Sequence, residues 1–559
     1  MIILGLNSSP HDRSAVLVKD GKILIGIEEE RLTREKHSIT YDQKYYNIES
    51  DGEYFLKTFL GVKRDVLEDK LNLSINYCLK NAGLSAKDID YIASSNFFLN
   101  TPFKEKNIIV NHHLCHAANA YYLSGFKNAS ILIVDGIGDI NNGKFETISF
   151  YKADRKKIDR IKEISGEMAM YKNKPTNSMI AVTNSLGAFY KNVTALIGFG
   201  NFGEGITMGL APYGKPIYKN LLDKFVKETD TGIKIDNKGI YLELRELIKN
   251  KNIDLQDKAN IAASCQEIFD KLILHLVNLL YELNPSENLC LAGGCFLNAV
   301  ANSSISEFSK FKNVFVPPTP GDNGTSIGAA LYTYHNLTNA KKYTPINSDY
   351  IYLGKEYKES EIKKSLKKYE NNLIYKKSNN ITKNVANLLA ARKIIGWFQG
   401  RSEFGPRALG NRSILANPDT VEIRDFINKE VKIREDFRPL APSVLAEYAK
   451  EYFNFGNKEK SSTMLFTFAA KNKALKETPA IVHVDGSSRI QTVTRKDNPL
   501  YYSLISEFYK LTKIPLLLNT SLNKKEPIVE SPEDAIKTFI NSKLDYLVVH
   551  NYIISKKSI

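Results

Sequence analysis

Short apolar runs separated by polar turns characterise the beginning of the chain. Residues 2–6 and 14–18 are apolar, and a third such run, residues 23–27, follows the dipeptide Asp20-Gly21. Asp-Gly between two short apolar runs is typical of a tight β-hairpin turn. The pattern therefore predicts three successive strands, the last two joined as a hairpin.

A similar unit recurs further along the chain. Residues 130–134 are apolar and are followed by an Asp-Gly turn signal at 135–136. An Asn-Gly signal follows at 142–143, and residues 146–151 again have the composition of a strand. The repetition predicts a duplicated α/β domain with a ligand cleft between its halves. The pattern resembles the actin, Hsp70 and sugar-kinase fold, in which such hairpins hold nucleotide phosphate.

Helical periodicity and short apolar runs continue along the rest of the chain. Predicted helices span residues 66–81, 257–283, 324–333, 359–369 and 381–392, and further strands span 288–291 and 393–397. Residues 334–349 are polar and rich in turn formers, which indicates a domain boundary. We therefore predict an α/β protein of two domains, residues 1–345 and 346–559.

Length and charge support this division. The chain has 559 residues, more than one hydrophobic core usually organises. The net charge of +15 is uneven, because residues 346–559 carry 36 Lys and Arg against 24 Asp and Glu. The second domain is therefore expected to meet anions.

The cysteines and the hydropathy indicate the compartment. Five cysteines form no CxxC pair, so neither a disulfide framework nor a cysteine zinc site is expected. No apolar run approaches the length of a membrane span, and the first residues lack the basic region of a signal peptide. We expect a soluble cytoplasmic protein that has no membrane partner.

Histidines and aspartates form a candidate metal site. On a helix, His112 and His116 would lie one turn apart on one face, the separation that lets two imidazoles hold one metal ion. Asp135 ends a predicted strand, and Asp322 lies in a Pro-Gly-Asp-Asn-Gly turn. Such a donor set suits Fe²⁺, Mn²⁺ or Zn²⁺. The alternative is a pair of helical histidines with ordinary hydrogen bonds.

Glycine-rich segments are candidates for nucleotide binding. Gly293 and Gly294 stand between a predicted strand and a helix, where backbone N–H groups can approach a phosphate. Asn298 and Asn323, beside this turn and a second glycine turn, join them as candidates. The alternative is that the glycines only permit close packing. Residues 198–214, with six glycines, predict a mobile or ligand-contacting loop.

Arginines between glycine and apolar residues form the third candidate site. They are Arg401, Arg407, Arg412, Arg434, Arg438 and Arg489, accompanied by Lys432 and by the Asn-Thr-Ser sequence at 519–521. Arginine binds phosphate and carboxylate oxygens in a bidentate manner. We predict anion binding for Arg407 and Arg438, against the alternative of a solvated basic face.

These motifs resemble the O-carbamoyltransferases that modify nodulation factors, cephamycins and aminoglycosides such as tobramycin. The resemblance covers nearly the whole chain, in ordered motifs that include HDRSAVLVKDGKI, NHHLCHAANAYY, VDGIGD, PPTPGDNGTSIGAA, FGPRALGNRSILANP and REDFRPLAPSVL. It implies an N-terminal domain similar to the universal tRNA-threonylcarbamoyl transferase, of the actin-like class. The C-terminal α+β domain would be similar to the enzyme that makes threonylcarbamoyl-adenylate.

The resemblance also implies a reaction. The C-terminal domain would make carbamoyl-adenylate from carbamoyl phosphate and ATP, the latter with Mg²⁺, and the N-terminal domain would transfer the carbamoyl group to a hydroxyl. The implied metal ligands are His112, His116, Asp135 and Asp322. The implied residues of the C-terminal site are Arg407, Lys432, Arg438, Arg489 and Ser521.

Several assignments stay open at this level. His11 and His113 are candidates for the base that receives the hydroxyl proton. The expected acceptor is a glycan or a small molecule, and a homodimer is the oligomer considered. One alternative is a carbamoyl or threonylcarbamoyl transferase acting on tRNA or protein, although the sequence has no recognised RNA-binding motif. A sugar kinase or ATPase of the actin-like class is another, which the two-histidine metal site argues against.

Overall fold

The structure is a computed structural model. It describes residues 1–9, 11–38, 72–95, 106–155, 157–171, 179–338, 350–456 and 458–557. Two compact units separate: unit 1 consists of Met1–Thr33 and His37–Asn347, and unit 2 of Arg34–Lys36 and Ser348–Ile559. The predicted boundary at residue 345 lies outside the described residues. Within those residues, no helix is both long and apolar enough to cross a bilayer. All five cysteines are buried and free.

Unit 1 contains two main sheets and the helices that pack on them. Its strands are β1 (Ile2–Asn7), β2 (Ser14–Lys19), β3 (Lys22–Glu28), β4 (Tyr91–Ser94), β5 (Asn107–Ile109), β6 (Ala129–Val134), β7 (Ile140–Asn141), β8 (Lys144–Ala153), β9 (Ile158–Gly166), β10 (Met168–Tyr171), β11 (Met179–Val182), β12 (Val226–Thr229), β13 (Gly232–Ile235), β14 (Asn288–Ala292) and β15 (Asn313–Phe315). Its helices are α1 (Glu29–Thr33), α2 (Asn72–Ala82), α3 (His112–Ser124), α4 (Leu186–Leu196), α5 (Glu204–Leu210), α6 (Lys219–Leu222), α7 (Asn237–Lys251), α8 (Leu255–Leu283), α9 (Ala299–Phe308) and α10 (Thr325–Thr338).

The two main sheets of unit 1 share one topology. The first has the order β3-β2-β1-β4-β5, with antiparallel pairing among β1, β2 and β3 and parallel pairing of β1, β4 and β5. The second sheet has the corresponding order β9-β8-β6-β14-β15, with the same pattern of antiparallel and parallel pairs. The short strand β7 also pairs with β8. The predicted duplicated α/β domain is therefore confirmed.

Both predicted hairpin turns are present. Asp20 and Gly21 have φ of +49° and +76°, and Asn142 and Gly143 have φ of +50° and +76°. Two consecutive positive φ values characterise the type I′ turn, which Asp, Asn and Gly tolerate best. Of the helix predicted over residues 66–81, the part before residue 72 lies outside the described residues.

The prediction of a loop over residues 198–214 is wrong in its centre, because α5 occupies Glu204–Leu210. The glycines flanking this helix serve close packing. A Cβ on Gly203 would lie 2.5 Å from the carbonyl oxygen of Phe199, and a Cβ on Gly214 would lie 2.0 Å from the carbonyl oxygen of Ala259. At Gly203 and Gly214 the glycine therefore permits the tight approach of neighbouring backbone, which the number of glycines alone does not reveal.

Unit 2 contains one large mixed sheet. Its strands are β16 (Leu373–Lys377), β17 (Ile395–Phe398), β18 (Arg412–Ala416), β19 (Ala441–Leu445), β20 (Thr467–Ala469), β21 (Ser487–Arg489), β22 (Gln491–Val493), β23 (Leu516–Ser521), β24 (Tyr546–Val549) and β25 (Tyr552–Lys556). Its helices are α11 (Glu359–Lys368), α12 (Ile381–Ala390), α13 (Val421–Phe426), α14 (Ala449–Tyr452), α15 (Asn472–Glu477), α16 (Pro499–Thr512) and α17 (Pro532–Ile540).

The large sheet of unit 2 has the order β16-β25-β24-β17-β18-β23-β19-β22 and combines parallel and antiparallel pairs. Helices α12 and α16 cover it, and Trp397, Tyr501, Phe508 and Leu517 are buried in the shared core. This arrangement confirms the predicted α+β class for the C-terminal part.

Candidate active sites in the two units

Four side chains of unit 1 converge on one point. His112 and His116 lie one turn apart on α3, and Asp135 directly follows β6. Asp322 begins the short 3₁₀ helix Asp322–Gly324, which leads into α10. The Nε2 atoms of the two histidines are 3.2 Å apart. Asp135 Oδ2 lies 3.1 Å from His112 Nε2 and 3.4 Å from His116 Nε2. Asp322 Oδ1 lies 3.7 and 3.6 Å from the same atoms. We call these four residues the His/Asp cluster.

Backbone groups hold Asp135 in position. Its Oδ1 accepts hydrogen bonds from the N–H groups of Gly136 at 2.8 Å and Gly294 at 3.1 Å, which leaves Oδ2 to face the histidines. Gly293 has φ of +101°, and a Cβ there would lie 2.2 Å from the Val134 carbonyl oxygen. In this structure the two glycines, which the sequence marks as nucleotide-binding candidates, support the end of β6.

The cluster combines opposite charges in a buried setting. Burial disfavours the imidazolium of His112, but the carboxylates of Asp322 and Asp135 outweigh it and raise the pKa of His112 to about 9. Burial also disfavours the imidazolium of His116, but hydrogen bonds to Asp135 and Asp322 outweigh this effect and raise the pKa of His116. Burial would raise the pKa of Asp135, but the two histidines hold it well below its usual range. Two imidazole nitrogens and two carboxylate oxygens within 4.8 Å of one another fit the donor set of a divalent transition metal.

The two candidate bases have different surroundings. His11 is partly exposed, and its Nδ1 lies 3.0 Å from Asp12 Oδ2 and 4.0 Å from Asp322 Oδ2, beside the His/Asp cluster. His113 is completely buried, and its Nδ1 is 2.7 Å from Ser149 Oγ. Burial, followed by the charge of His112, holds the pKa of His113 well below its usual range. The geometry therefore favours His11 as a group that an incoming hydroxyl can reach.

The two candidate asparagines contact other protein groups. Asn298 caps α9, since its Oδ1 accepts from the Ala301 N–H at 3.1 Å while its Nδ2 donates to Gln266 Oε1. Asn323 accepts hydrogen bonds at its carbonyl from Ser14 and Ser326. Both therefore contribute to the local structure of unit 1.

Arginines of unit 2 gather in one place. Burial lowers the pKa of the Arg489 guanidinium well below its usual range, and the neighbouring charges of Arg407, Arg434 and Arg438 lower it further. The Nε atoms of Arg407 and Arg489 are buried and have no hydrogen-bond partner among the residues that the structure describes. The Oε2 atom of Glu435 lies 3.5 Å from Nη1 of Arg438. We call Arg407, Arg434, Arg438 and Arg489 the arginine cluster. Arg434 is the one member that the site predicted from the sequence does not include.

Lys432 and Ser521, two residues of the predicted C-terminal site, are in hydrogen-bond contact. Lys432 is the last residue of a π-helical segment, Ile427–Lys432, and such segments are rare and frequently occur at functional sites. Its Nζ donates to Ser521 O at 2.8 Å and is 3.1 Å from Ser521 Oγ, and it also donates to Asn523. Burial, followed by the charge of Arg434, holds the pKa of Lys432 well below its usual range.

Two further arginines of the sequence cluster have structural roles. Arg401 donates to the carbonyl groups of Gly354 and Leu353. Arg412 is buried, donates to the carbonyl of Gln399 at 2.6 Å, and stacks on Phe398 with its guanidinium 3.6 Å from the ring centre. Sequence alone cannot separate these residues from Arg407, because only tertiary contacts show which guanidinium groups already have acceptors.

Sequence reasoning missed the carboxylate that shapes the Arg407 turn. Glu403 is buried, and its Oε1 accepts from the backbone N–H groups of Leu409 at 2.7 Å, Asn411 at 2.8 Å and Arg412 at 3.2 Å. The sequence signal that could have found it is a Glu inside the glycine-rich segment 400–412, because the backbone N–H groups of such turns need an acceptor.

We expect Glu403→Ala to lower the free energy of unfolding of unit 2 by about 3 kcal/mol, because three N–H groups lose their buried acceptor. Trp397, the single tryptophan, donates to Gly410 O in the same turn, so its fluorescence reports unfolding of this region in denaturant. Glu451→Ala is the control, since the exposed pair of Glu451 with Lys473 should contribute less than about 1 kcal/mol. Equal stability of the two variants would contradict the role of Glu403.

Residues 2–101 and 94–331 match the family model "Carbamoyltransferase N-terminus", and residues 386–556 match "Carbamoyltransferase C-terminus". Nodulation protein NolNO of Sinorhizobium fredii is 32% identical over 99% of this chain and 80% of its own length. Nodulation protein NolO of Bradyrhizobium diazoefficiens is 35% identical over 80% of this chain and 79% of its own.

An uncharacterized protein of Synechocystis sp. is 33% identical over 99% of this chain and 96% of its own. Among solved structures, full-length HypF in its phosphate- and nucleotide-bound form matches 61% of this chain and 47% of its own. The match has 16% sequence identity and a TM-score of 0.37.

Proposed function

Since the chain belongs to the carbamoyltransferase family, we propose that this enzyme is an ATP-dependent O-carbamoyltransferase that proceeds through carbamoyl-adenylate. In unit 2, carbamoyl phosphate, ATP and one water would give carbamoyl-adenylate, pyrophosphate and phosphate. In unit 1, the carbamoyl group would pass to a hydroxyl of a sugar or small natural product, which releases AMP and a proton.

The observation that carries this proposal is the arginine cluster. Burial and the charges of three neighbouring arginines lower the pKa of Arg489, and the buried Nε atoms of Arg407 and Arg489 have no hydrogen-bond partner among the described residues. This arrangement favours an anion of high charge. Carbamoyl phosphate and ATP together supply such charge. The cluster would align the carbamate oxygen with the α-phosphate of ATP and neutralise the leaving pyrophosphate, so that no protein nucleophile is required.

The His/Asp cluster supports the transfer step in unit 1. His112, His116, Asp135 and Asp322 would hold one divalent ion, with Fe²⁺, Mn²⁺ and Zn²⁺ as the ions that suit the donor set. A bound ion would supply Lewis-acid stabilisation of the negative charge on the carbamoyl or phosphate oxygens. His11, beside the cluster, would accept the proton of the attacking hydroxyl.

Metal affinity should rise with pH. The raised pKa values of His112 and His116 mean that the metal-free cluster binds protons near neutral pH, and ligation must release them. We expect the Zn²⁺ affinity to increase up to about tenfold per pH unit for each proton released between pH 6 and 8. Calorimetry with Zn²⁺ in two buffers of different ionisation enthalpy measures that release. Binding without release would contradict the assigned ligands.

Product analysis tests the function. The purified protein is incubated with Mg²⁺, ATP and carbamoyl phosphate in the absence of an acceptor. We expect pyrophosphate and carbamoyl-adenylate, which water hydrolyses to AMP when no acceptor is present, and both products should form only when carbamoyl phosphate is supplied. ADP without pyrophosphate would instead place the chain among kinases or ATPases. Carbamoyl phosphate labelled with ¹⁴C, offered with an aminoglycoside or with tRNA, then distinguishes a small-molecule acceptor from a nucleic acid.

A further inference from the structure

We propose that Asp12, His37 and Phe202 are positioning residues that fix the ring of His11 and the proton on its Nδ1, so that Nε2 is the nitrogen that receives the acceptor proton. The proposal rests on the proposed function, in which His11 is the base. Two of the three positioning residues, Asp12 and His37, lie 25 positions apart in the sequence.

The carboxylate of Asp12 bridges two imidazoles. Its Oδ2 lies 3.0 Å from His11 Nδ1, and its Oδ1 lies 2.8 Å from His37 Nδ1. Burial would raise the pKa of Asp12, but the two histidines lower it well below its usual range, so the carboxylate is ionised. An ionised carboxylate only accepts hydrogen bonds, and both Nδ1 atoms must therefore carry the proton. His11 Nε2 makes no hydrogen bond with any residue that the structure describes.

An aromatic ring holds both imidazoles from one side. Phe202 is stacked on His37, with ring centres 4.0 Å apart and planes at 15°, and meets His11 at 5.3 Å and 70°. Phe202 precedes α5, within the glycine-rich stretch. The hydrogen bond to Asp12 and the contact with Phe202 together restrict rotation of the His11 ring.

The backbone at these three residues is in an unfavourable conformation. Asp12, His37 and Phe202 have φ of +54°, +62° and +62°, a region that residues other than glycine rarely adopt. Additional hydrogen bonds maintain it, since the Asp12 N–H donates to His37 O at 2.8 Å and the His37 N–H donates to Glu30 Oε2 at 2.7 Å. Such strain concentrates at functional sites, where the surrounding structure holds a side chain in one orientation.

A spectroscopic experiment tests the proton position without an acceptor. The full-length protein is labelled with ¹⁵N in its nine histidine rings, and the His11 signals are identified by their absence in His11→Gln. We expect a proton on His11 Nδ1 that is observable in the wild type and is shifted or lost in Asp12→Asn. Asn tolerates positive φ, so this substitution retains the backbone. An Nδ1 without a proton, or an unchanged signal in Asp12→Asn, would overturn the proposal.

Kinetics provides the second measurement. For Asp12→Asn we expect the kcat of carbamoyl transfer to fall about 100-fold or more, with the acceptor KM and the rate of pyrophosphate formation unchanged. Asp20→Asn is the matched control, because Asp20 also has positive φ but lies in the exposed β2–β3 turn. Transfer by Asp12→Asn at the wild-type rate would refute positioning and leave the proposed function intact. A wild type that makes neither pyrophosphate nor carbamoylated product would refute the proposed function, while the Nδ1 signal still decides the positioning role.

Discussion

Replacing Arg489 with methionine should lower pyrophosphate release from carbamoyl phosphate and ATP by about 100-fold or more. Arg489 lies among Arg407, Arg434 and Arg438, and its Nε is buried without a partner in the described part of the chain. Removal of one preorganised cationic donor from a site where negative charge develops has an effect of this size. Methionine retains most of the side-chain volume, so the loss of charge is the dominant change.

Stability distinguishes this loss of activity from unfolding. Without a bound anion the four guanidinium groups repel one another, so Arg489→Met should be at least as stable as the wild type by Trp397 fluorescence in denaturant. Arg392→Met is the matched control, because Arg392 is 62% exposed and pairs with Asp419 at the surface. A wild-type rate in Arg489→Met would remove Arg489 from the adenylate-forming site.

His116→Ala should abolish carbamoyl transfer and leave pyrophosphate formation within about twofold of the wild type. The His116 side chain is completely buried, and its Nε2 lies between Asp135 and Asp322 at 3.4 and 3.6 Å. Loss of this imidazole removes one of four donors and leaves the two carboxylates without one of their cationic partners. Stoichiometric Zn²⁺ binding, measured by calorimetry, should be lost together with transfer.

The control for this variant is His275→Gln. His275 belongs to the same unit, and its Nε2 contacts the carbonyl groups of Thr229 and Gly232 at the β12–β13 hairpin. We expect normal transfer and normal Zn²⁺ binding from it. Loss of pyrophosphate formation in His116→Ala would show that the division of labour between the two units is wrong.

Local pattern located several of the fold elements and part of the site. Turn chemistry at Asp20-Gly21 and Asn142-Gly143 located both hairpins, because positive φ restricts the residue types there. The spacing of His112 and His116 placed both on one helix face, because the helical repeat brings residues four apart together. Their positions at a strand end and in a glycine turn made Asp135 and Asp322 candidates, and the motif resemblance implied the same two residues.

Tertiary structure decided which polar groups are already satisfied. Arg412 and Arg407 stand in the same glycine-rich segment, yet Arg412 donates to backbone carbonyls and Arg407 keeps a buried, unpartnered Nε within the described residues. Gly294 orients Asp135, and Asp12 joins His11 to His37. The sequence by itself determined those elements that carry a clear turn or periodic signal and the residue types available for chemistry, since these depend on local backbone preference and periodicity. Only the tertiary structure decided which side chains remain for a ligand, since hydrogen-bond partners are set by packing between segments distant in sequence.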